Sequence, residues 1–176
     1  MADPPLGRSV RGMFARLACM GLGAAALVLA ACSEGPPTVG QPRAFDNVCD
    51  KSNDGRRVAV EGFLRLPDTI SVVKNRRGTG SATEIVTVRL FQSGAFAGTP
   101  IGVNFNFGTN PNNMDELPRP AYSDSDLKVH LTDGRTATYG QRVKISGTVY
   151  FPNQVLKSDS VDFDCGLDNP LVEMTS

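Results

Sequence analysis

Residues 48–176 predict an all-β domain, a small antiparallel barrel of five or six strands. Three observations predict it. Apolar and polar residues alternate with a period of two in one segment after another, no window of eleven or more residues beyond Cys32 keeps a 3.6-residue period, and glycine and proline punctuate the runs. Side chains alternate across a strand but recur every three to four positions on a helix, so the two periods separate the classes. A small β-sandwich is the alternative architecture.

The first strand starts at Arg56, with Val58, Val60, Gly62, Leu64 and Leu66 on one parity and Arg57, Ala59, Glu61, Phe63 and Arg65 on the other. A short strand over Thr69 to Val73 leads into a basic hairpin, Lys74-Asn75-Arg76-Arg77-Gly78-Thr79-Gly80. Glu84 to Gln92 sets Val86, Val88 and Leu90 against Ile85, Thr87, Arg89 and Phe91, and Ile101 to Phe107 sets its apolar residues against Asn104 and Asn106. Gly108 to Asp126 carries Pro111, Pro118 and Pro120, which limit it to one helical turn over Asn113 to Leu117. Leu127 to Thr132, Val143 to Phe151 and Val161 to Cys165 resume the alternation, the last placing Cys165 on the core side.

Two segments carry a resemblance: Gly55-Arg56-Arg57-Val58-Ala59-Val60-Glu61-Gly62 and Gly140-Gln141-Arg142-Val143-Lys144-Ile145-Ser146-Gly147. Each reads glycine, two polar residues, alternating apolar positions, then a second glycine, and resembles the first and the fourth or fifth strands of OB-fold barrels. An interior glycine lets a strand coil where a side chain would clash.

The amino-terminal segment has a different character. Arg8, Arg11 and Arg16 precede an apolar run from Leu17 to Ala31, too short for the roughly 20 residues a membrane-spanning helix needs and of the length of a secretory signal. Leu29-Ala30-Ala31-Cys32 resembles the lipobox of bacterial lipoproteins. The resemblance implies that residues 1–31 are removed as a signal peptide, and that Cys32 carries diacylglycerol and usually an amino-terminal acyl chain. It implies an extracytoplasmic protein anchored to the bacterial membrane through lipid, and Ser33 resembles an outer-membrane address where two membranes are present. A plain secretory signal with an unmodified cysteine is the alternative. Residues 32–47, rich in proline and glycine, read as a flexible tether reaching at most about 50 Å.

Removing residues 1–31 takes away three of 18 basic side chains and one of 18 acidic ones, leaving a net charge of about −2 and no field that would recruit nucleic acid. Of four cysteines, Cys19 leaves with the signal and Cys32 carries lipid. Cys49 and Cys165 remain, and in an oxidising compartment they are expected to form a disulfide.

Asp50-Lys51-Ser52-Asn53-Asp54-Gly55, followed by Glu61, has nearly the spacing of a calcium-binding EF-hand loop. Ser52 departs from the pattern, Arg56 and Arg57 bring positive charge into the loop, and Glu61 falls in a strand pattern. A turn before a strand explains the residues, so no metal is expected. Lys74, Arg76 and Arg77, with Arg57, Arg65, Arg89 and the exposed-parity Phe63 and Phe91, have the composition of a base-stacking platform. The acidic Asp159, Asp162, Asp164 and Asp168 balance them, and an extracytoplasmic location removes the partner, so no nucleic acid is expected. His130 is the single histidine and has no sequence neighbour to form a relay; Asp124 with Asp126, and Asp162 with Asp164, are pairs whose spacing arises by chance.

No cofactor motif and no catalytic residue emerges. The expected function is a lipid-anchored, non-catalytic binding or interaction module meeting an envelope protein or glycan. An envelope-associated hydrolase or transferase is the alternative. A deep pocket with converging polar groups would favour the enzyme, and an exposed aromatic patch the binding module.

Overall fold

The computed structural model describes residues 37–70, 72–75, 83–119, 121–152 and 162–175. The described residues all belong to one compact unit. The signal segment, Cys32, Arg76 to Gly80, Asp159 and Val161 lie outside the described residues.

Nine strands occur among the described residues: β1 (Gln41–Pro42), β2 (Arg57–Arg65), β3 (Val72–Asn75), β4 (Thr83–Phe91), β5 (Ile101–Asn106), β6 (Lys128–His130), β7 (Thr136–Thr138), β8 (Arg142–Tyr150) and β9 (Gly166–Met174). Five of them close a barrel. β2 pairs antiparallel with β8 from Arg57↔Thr148 to Phe63↔Arg142, and its end pairs with β4 from Phe63↔Phe91 to Arg65↔Arg89. β4 pairs with β5, β5 runs parallel to β9 at Gly102↔Gly166 and Val103↔Leu167, and β9 returns antiparallel to β8. Around the barrel the strands follow the chain order one, two, three, five, four, which is the OB-fold arrangement.

The small, mostly antiparallel barrel expected from the alternation is thus present, with the one parallel pair, β5 with β9, making it mixed. The reason is topological: strand directions cannot alternate all the way round a closed ring of five, so one neighbouring pair has to run the same way. Val60, Leu64, Val88, Leu90, Phe105, Ile145, Val149 and Leu167 fill the interior, each almost fully buried. The two strand-centre glycines serve close approach. A Cβ on Gly62 would lie 2.5 Å from the Phe91 carbonyl oxygen, and one on Gly147 would lie 2.7 Å from the Leu167 Cβ.

Several elements differ from expectation. Val161 to Cys165 supplies no strand among its described residues; the last strand is β9, which holds Asn169 at φ 50° and Pro170 in its middle. Proline lacks the N–H a ladder needs, and a bulge on β9, with Asn169 and Pro170 opposite the single Gly147 of β8, accommodates it. The short strand before the basic hairpin is displaced to β3, and β7 pairs with β6 to form a separate two-stranded sheet. The expected helical turn at Asn113 is replaced by extended chain, with Met114 bridging Phe107 and Val129. One 3₁₀ turn lies instead at Asp124–Asp126, where Ser123 and Asp126 form a reciprocal capping box.

Residues 38–43, which fall in the segment 32–47 read as a flexible tether, dock on the barrel. β1 runs parallel to β2, and the Arg43 N–H donates to the Ala59 carbonyl at 2.9 Å. Arg57 donates to three carbonyls, Thr38 at 2.5 Å, Asn169 at 2.8 Å and Ser146 at 3.1 Å, and burial lowers its pKa. Proline and glycine content signalled flexibility here, while the docking partner sat elsewhere in the chain.

Candidate binding surface

An aromatic ledge stands at the Arg65 end of β2. Phe63 and Phe91 are register partners on the outer face of β2 and β4. Beyond the end of β4, the loop returning to β5 places Phe96 edge-on to Phe91, with ring centroids 5.7 Å apart and planes at 88°. Tyr139, in the turn that enters β8, stacks on Phe96 at 5.1 Å and 17°. The Arg65 guanidinium lies 5.7 Å from the Phe96 centroid. Offset stacking and edge-to-face contacts are the favoured aromatic geometries, so Phe91, Phe96 and Tyr139 form an ordered cluster beside Phe63.

Two properties distinguish this ledge from ordinary packing. Tyr139 is 40% exposed and is, with Val39 and Val73, one of the large hydrophobic side chains most open to solvent among the described residues. Phe96 has φ 53°, a left-handed backbone that a bulky side chain adopts only under constraint. The rim is charged in pairs: Arg65 lies 3.4 Å from Asp124 and 3.9 Å from Asp68, and Arg142 lies 3.0 Å from Glu61.

A second polar group spans the parallel junction. Asn104 Oδ1 accepts from Thr87 Oγ1 at 2.7 Å and from Tyr150 Oη at 3.2 Å, while its Nδ2 donates to Asp168 at 2.6 Å. Burial, reinforced by the negative charge of Asp168, pushes the Tyr150 pKa up to about 12. Arg89, nearly buried, donates to the Asp162 carboxylate and to the Thr87 carbonyl, and stacks 4.7 Å over Phe163. The donors and acceptors of this group are turned on one another, which suits it to joining β4, β5, β8 and β9.

Beside β3 a cleft of about 550 Å³ is lined by Ile70, Val72, Phe107, Leu117 and Tyr122, with Glu84 and Arg119 at its mouth. Arg119 and Lys74 both approach Glu84, at 3.8 and 3.2 Å.

The residues singled out from sequence are dispersed. Cys49 and Cys165 form a disulfide with Cα atoms 5.4 Å apart, and Cys165 is fully buried. The calcium-like loop is a 3₁₀ turn, Lys51–Asn53, in which the Asn53 side chain points inward and donates to the Asn47 and Val48 carbonyls at 2.8 and 3.2 Å. Glu61 sits far along β2, paired with Arg142. No cluster of three or more His, Cys, Asp or Glu side chains able to hold a metal occurs among the described residues. The cations grouped as a platform separate: Arg57 binds carbonyls, Arg65 belongs to the ledge, and Arg89 is buried beside Asp162.

His130 acquires a partner the sequence did not reveal, Asp115 at 2.6 Å from Nε2. Asp124 pairs with Arg65 and Asp126 caps its own turn. The sequence marked Phe63 and Phe91 as exposed aromatics and missed Phe96 and Tyr139, which lie in turns. Gly98 (φ 90°) and Gly140 (φ 78°) mark those turns.

No protein-family model, curated protein or solved structure matches this chain.

Proposed function

We propose that the protein is a lipid-anchored component of the bacterial envelope, with Cys32 as the attachment point and the barrel as a non-catalytic binding module. The observation that carries the binding role is the ledge, where Phe96 is held in a strained backbone so that it backs an exposed Tyr139. Strain costs on the order of 1–3 kcal/mol and tends to persist where it serves a site. In the cleft of about 550 Å³ beside β3, Glu84 is already paired with Lys74 and Arg119, which supports binding over chemistry there. Anchoring is supported by Leu29-Ala30-Ala31-Cys32, and an extracytoplasmic site by the Cys49–Cys165 bond, since disulfides persist in oxidising compartments. The anchor would place the domain at the outer membrane, on its periplasmic side, in a cell with two membranes.

The two halves are tested separately. Mass spectrometry of the mature protein should find diacylglycerol on Cys32, and Cys32→Ala should release the protein from membranes; an unmodified cysteine ends the anchor assignment. A photoreactive residue at position 139 should cross-link to an envelope component in cells, whereas one at Asp133, outside the ledge, should not. Equal capture from both positions, or none from either, ends the ledge assignment.

A further inference from the structure

We infer that the ledge recognises a neutral glycan, with the open face of Tyr139 as the stacking surface for a pyranose ring. The inference rests on the ledge being the binding surface and names its ligand class. Tyr139 has one face against Phe96, with planes only 17° apart, and its 40% exposure leaves the opposite face to solvent. An open aromatic face accepts three kinds of group: a cation, a flat base, or the C–H face of a sugar, whose slightly positive hydrogens meet the negative π cloud.

The rim decides among them. A cationic ligand needs carboxylates in excess, and a nucleic acid needs cations to neutralise its phosphates. Here Arg65 is flanked by Asp124 and Asp68, Arg142 by Glu61, and its neighbour Lys144 by Glu173 at 3.0 Å. Each cation is compensated before any ligand arrives, and the one carboxylate in excess, Asp68, is open to solvent and screened there, 3.9 Å from Arg65. Paired carboxylates and guanidinium groups still keep lone pairs and N–H groups that vicinal hydroxyls can use, one as donor and one as acceptor. A flat apolar face bordered by compensated, hydrogen-bonding charge is complementary to an uncharged polyhydroxyl ring.

The ledge is also prepared in advance. Phe96 contacts both Phe91 and Tyr139, so the stacking ring is held before binding and little rotamer entropy remains to be lost.

The test titrates the full mature protein with uncharged β-1,4-linked glucose and N-acetylglucosamine oligomers, following the ring resonances of Phe96 and Tyr139 by NMR. Saturable shifts confined to the ledge are expected. Tyr139→Ala should weaken binding about tenfold or more, the scale of one lost ring stack, while Tyr139→Phe should retain it, because the ring face makes the contact. The affinity should be insensitive to salt. Absence of binding by any neutral oligomer at millimolar concentration overturns the inference, as does binding indifferent to Tyr139→Ala, or salt-dependent binding of single-stranded DNA in its place. If the photoreactive residue at position 139 captures a polypeptide while the oligomers fail, the ledge is still a binding surface and only the ligand class is wrong. Failure of both removes the surface as well.

Discussion

Asn112 accepts a hydrogen bond from the main-chain N–H of Val172 at 2.9 Å, with its side chain taking the place of a strand on the flank of β9. β9 lies beside β5 only at Gly166 and Leu167, so further along it needs another partner on that side. The insertion after β5 supplies one. Asn112 has φ 63°, a conformation asparagine tolerates better than most residues, and its own N–H donates to the His130 carbonyl at 2.7 Å.

Replacing Asn112 with glycine keeps the left-handed backbone but leaves a buried N–H without its acceptor. The expected loss is about 1–3 kcal/mol in urea unfolding, with faster hydrogen exchange at Val172. Asn112→Ala should lose about 1 kcal/mol more, because alanine pays for the left-handed conformation. Unchanged exchange at Val172 in both variants would sink the assignment.

The Cys49–Cys165 bond closes a loop with a sequence separation of 116. In the chain-entropy treatment such a loop is worth about 4–5 kcal/mol. The Cys49→Ser/Cys165→Ser double variant should therefore unfold at markedly lower urea concentration, and the wild-type protein should show the same shift under reductant.

Two aromatic rings lie on two glycines at the parallel junction. A Cβ on Gly166 would fall 2.4 Å from ring carbons of Tyr150, and one on Gly102 would fall 2.7 Å from Phe163. Gly166→Ala should destabilise by on the order of 1–3 kcal/mol through overpacking. Combined with Tyr150→Ala, the two losses should add to less than their sum, since removing the ring removes the clash. Strict additivity would disprove the contact.

Tyr150 should report on alkaline stability. Its pKa rises from 10.0 to about 12 because burial favours the neutral phenol. The folded state then holds a proton that the unfolded state releases, so the stability contribution is complete below about pH 10 and is lost as pH climbs toward 12, by at most about 3 kcal/mol. Burial also raises the Tyr122 pKa, so ultraviolet titration should show Tyr150 as the last tyrosine to ionise, a step absent in Tyr150→Phe, and that variant should have a flatter stability profile over the same interval.

At the ledge, Phe96→Gly removes a ring and relieves the strain at φ 53°. Stacking is worth about 0.5–1.5 kcal/mol per pair and the strain is of similar size, so stability should change by less than about 1 kcal/mol. Binding at the ledge should fall sharply. A large loss of stability with intact binding would mark Phe96 as a core residue only.

β2, β4, β5 and β8 were legible because each has one face in the barrel and one outside, which writes the structure as alternation. β9 was not, since Asn169 and Pro170 form a bulge opposite the single Gly147 of β8 and so break the alternation of the strand. The disulfide could be reasoned from compartment and count, and its partners meet because the 3₁₀ segment before β2 lies beside the start of β9. The ledge was half visible. Phe63 and Phe91 showed in strand parity, but Phe96 and Tyr139 sit outside any periodic element, and only the folded chain brings their rings together. His130 had the same difficulty, its partner Asp115 arriving from the irregular insertion. The docking of residues 38–43 depended on Arg57, whose charge gave no sign that it would bind carbonyls.

The parallel junction of β9 with β5 has a consequence for how the domain comes into being. Both barrel neighbours of β9 precede it in the chain, so a growing polypeptide that has released β8 but not Met174 holds an open sheet with two unpaired borders. Such borders recruit strands from other molecules. A chain emerging amino terminus first therefore passes through an interval in which the barrel is open, and truncations anywhere between Tyr150 and Met174 should yield aggregates and not weakened monomers.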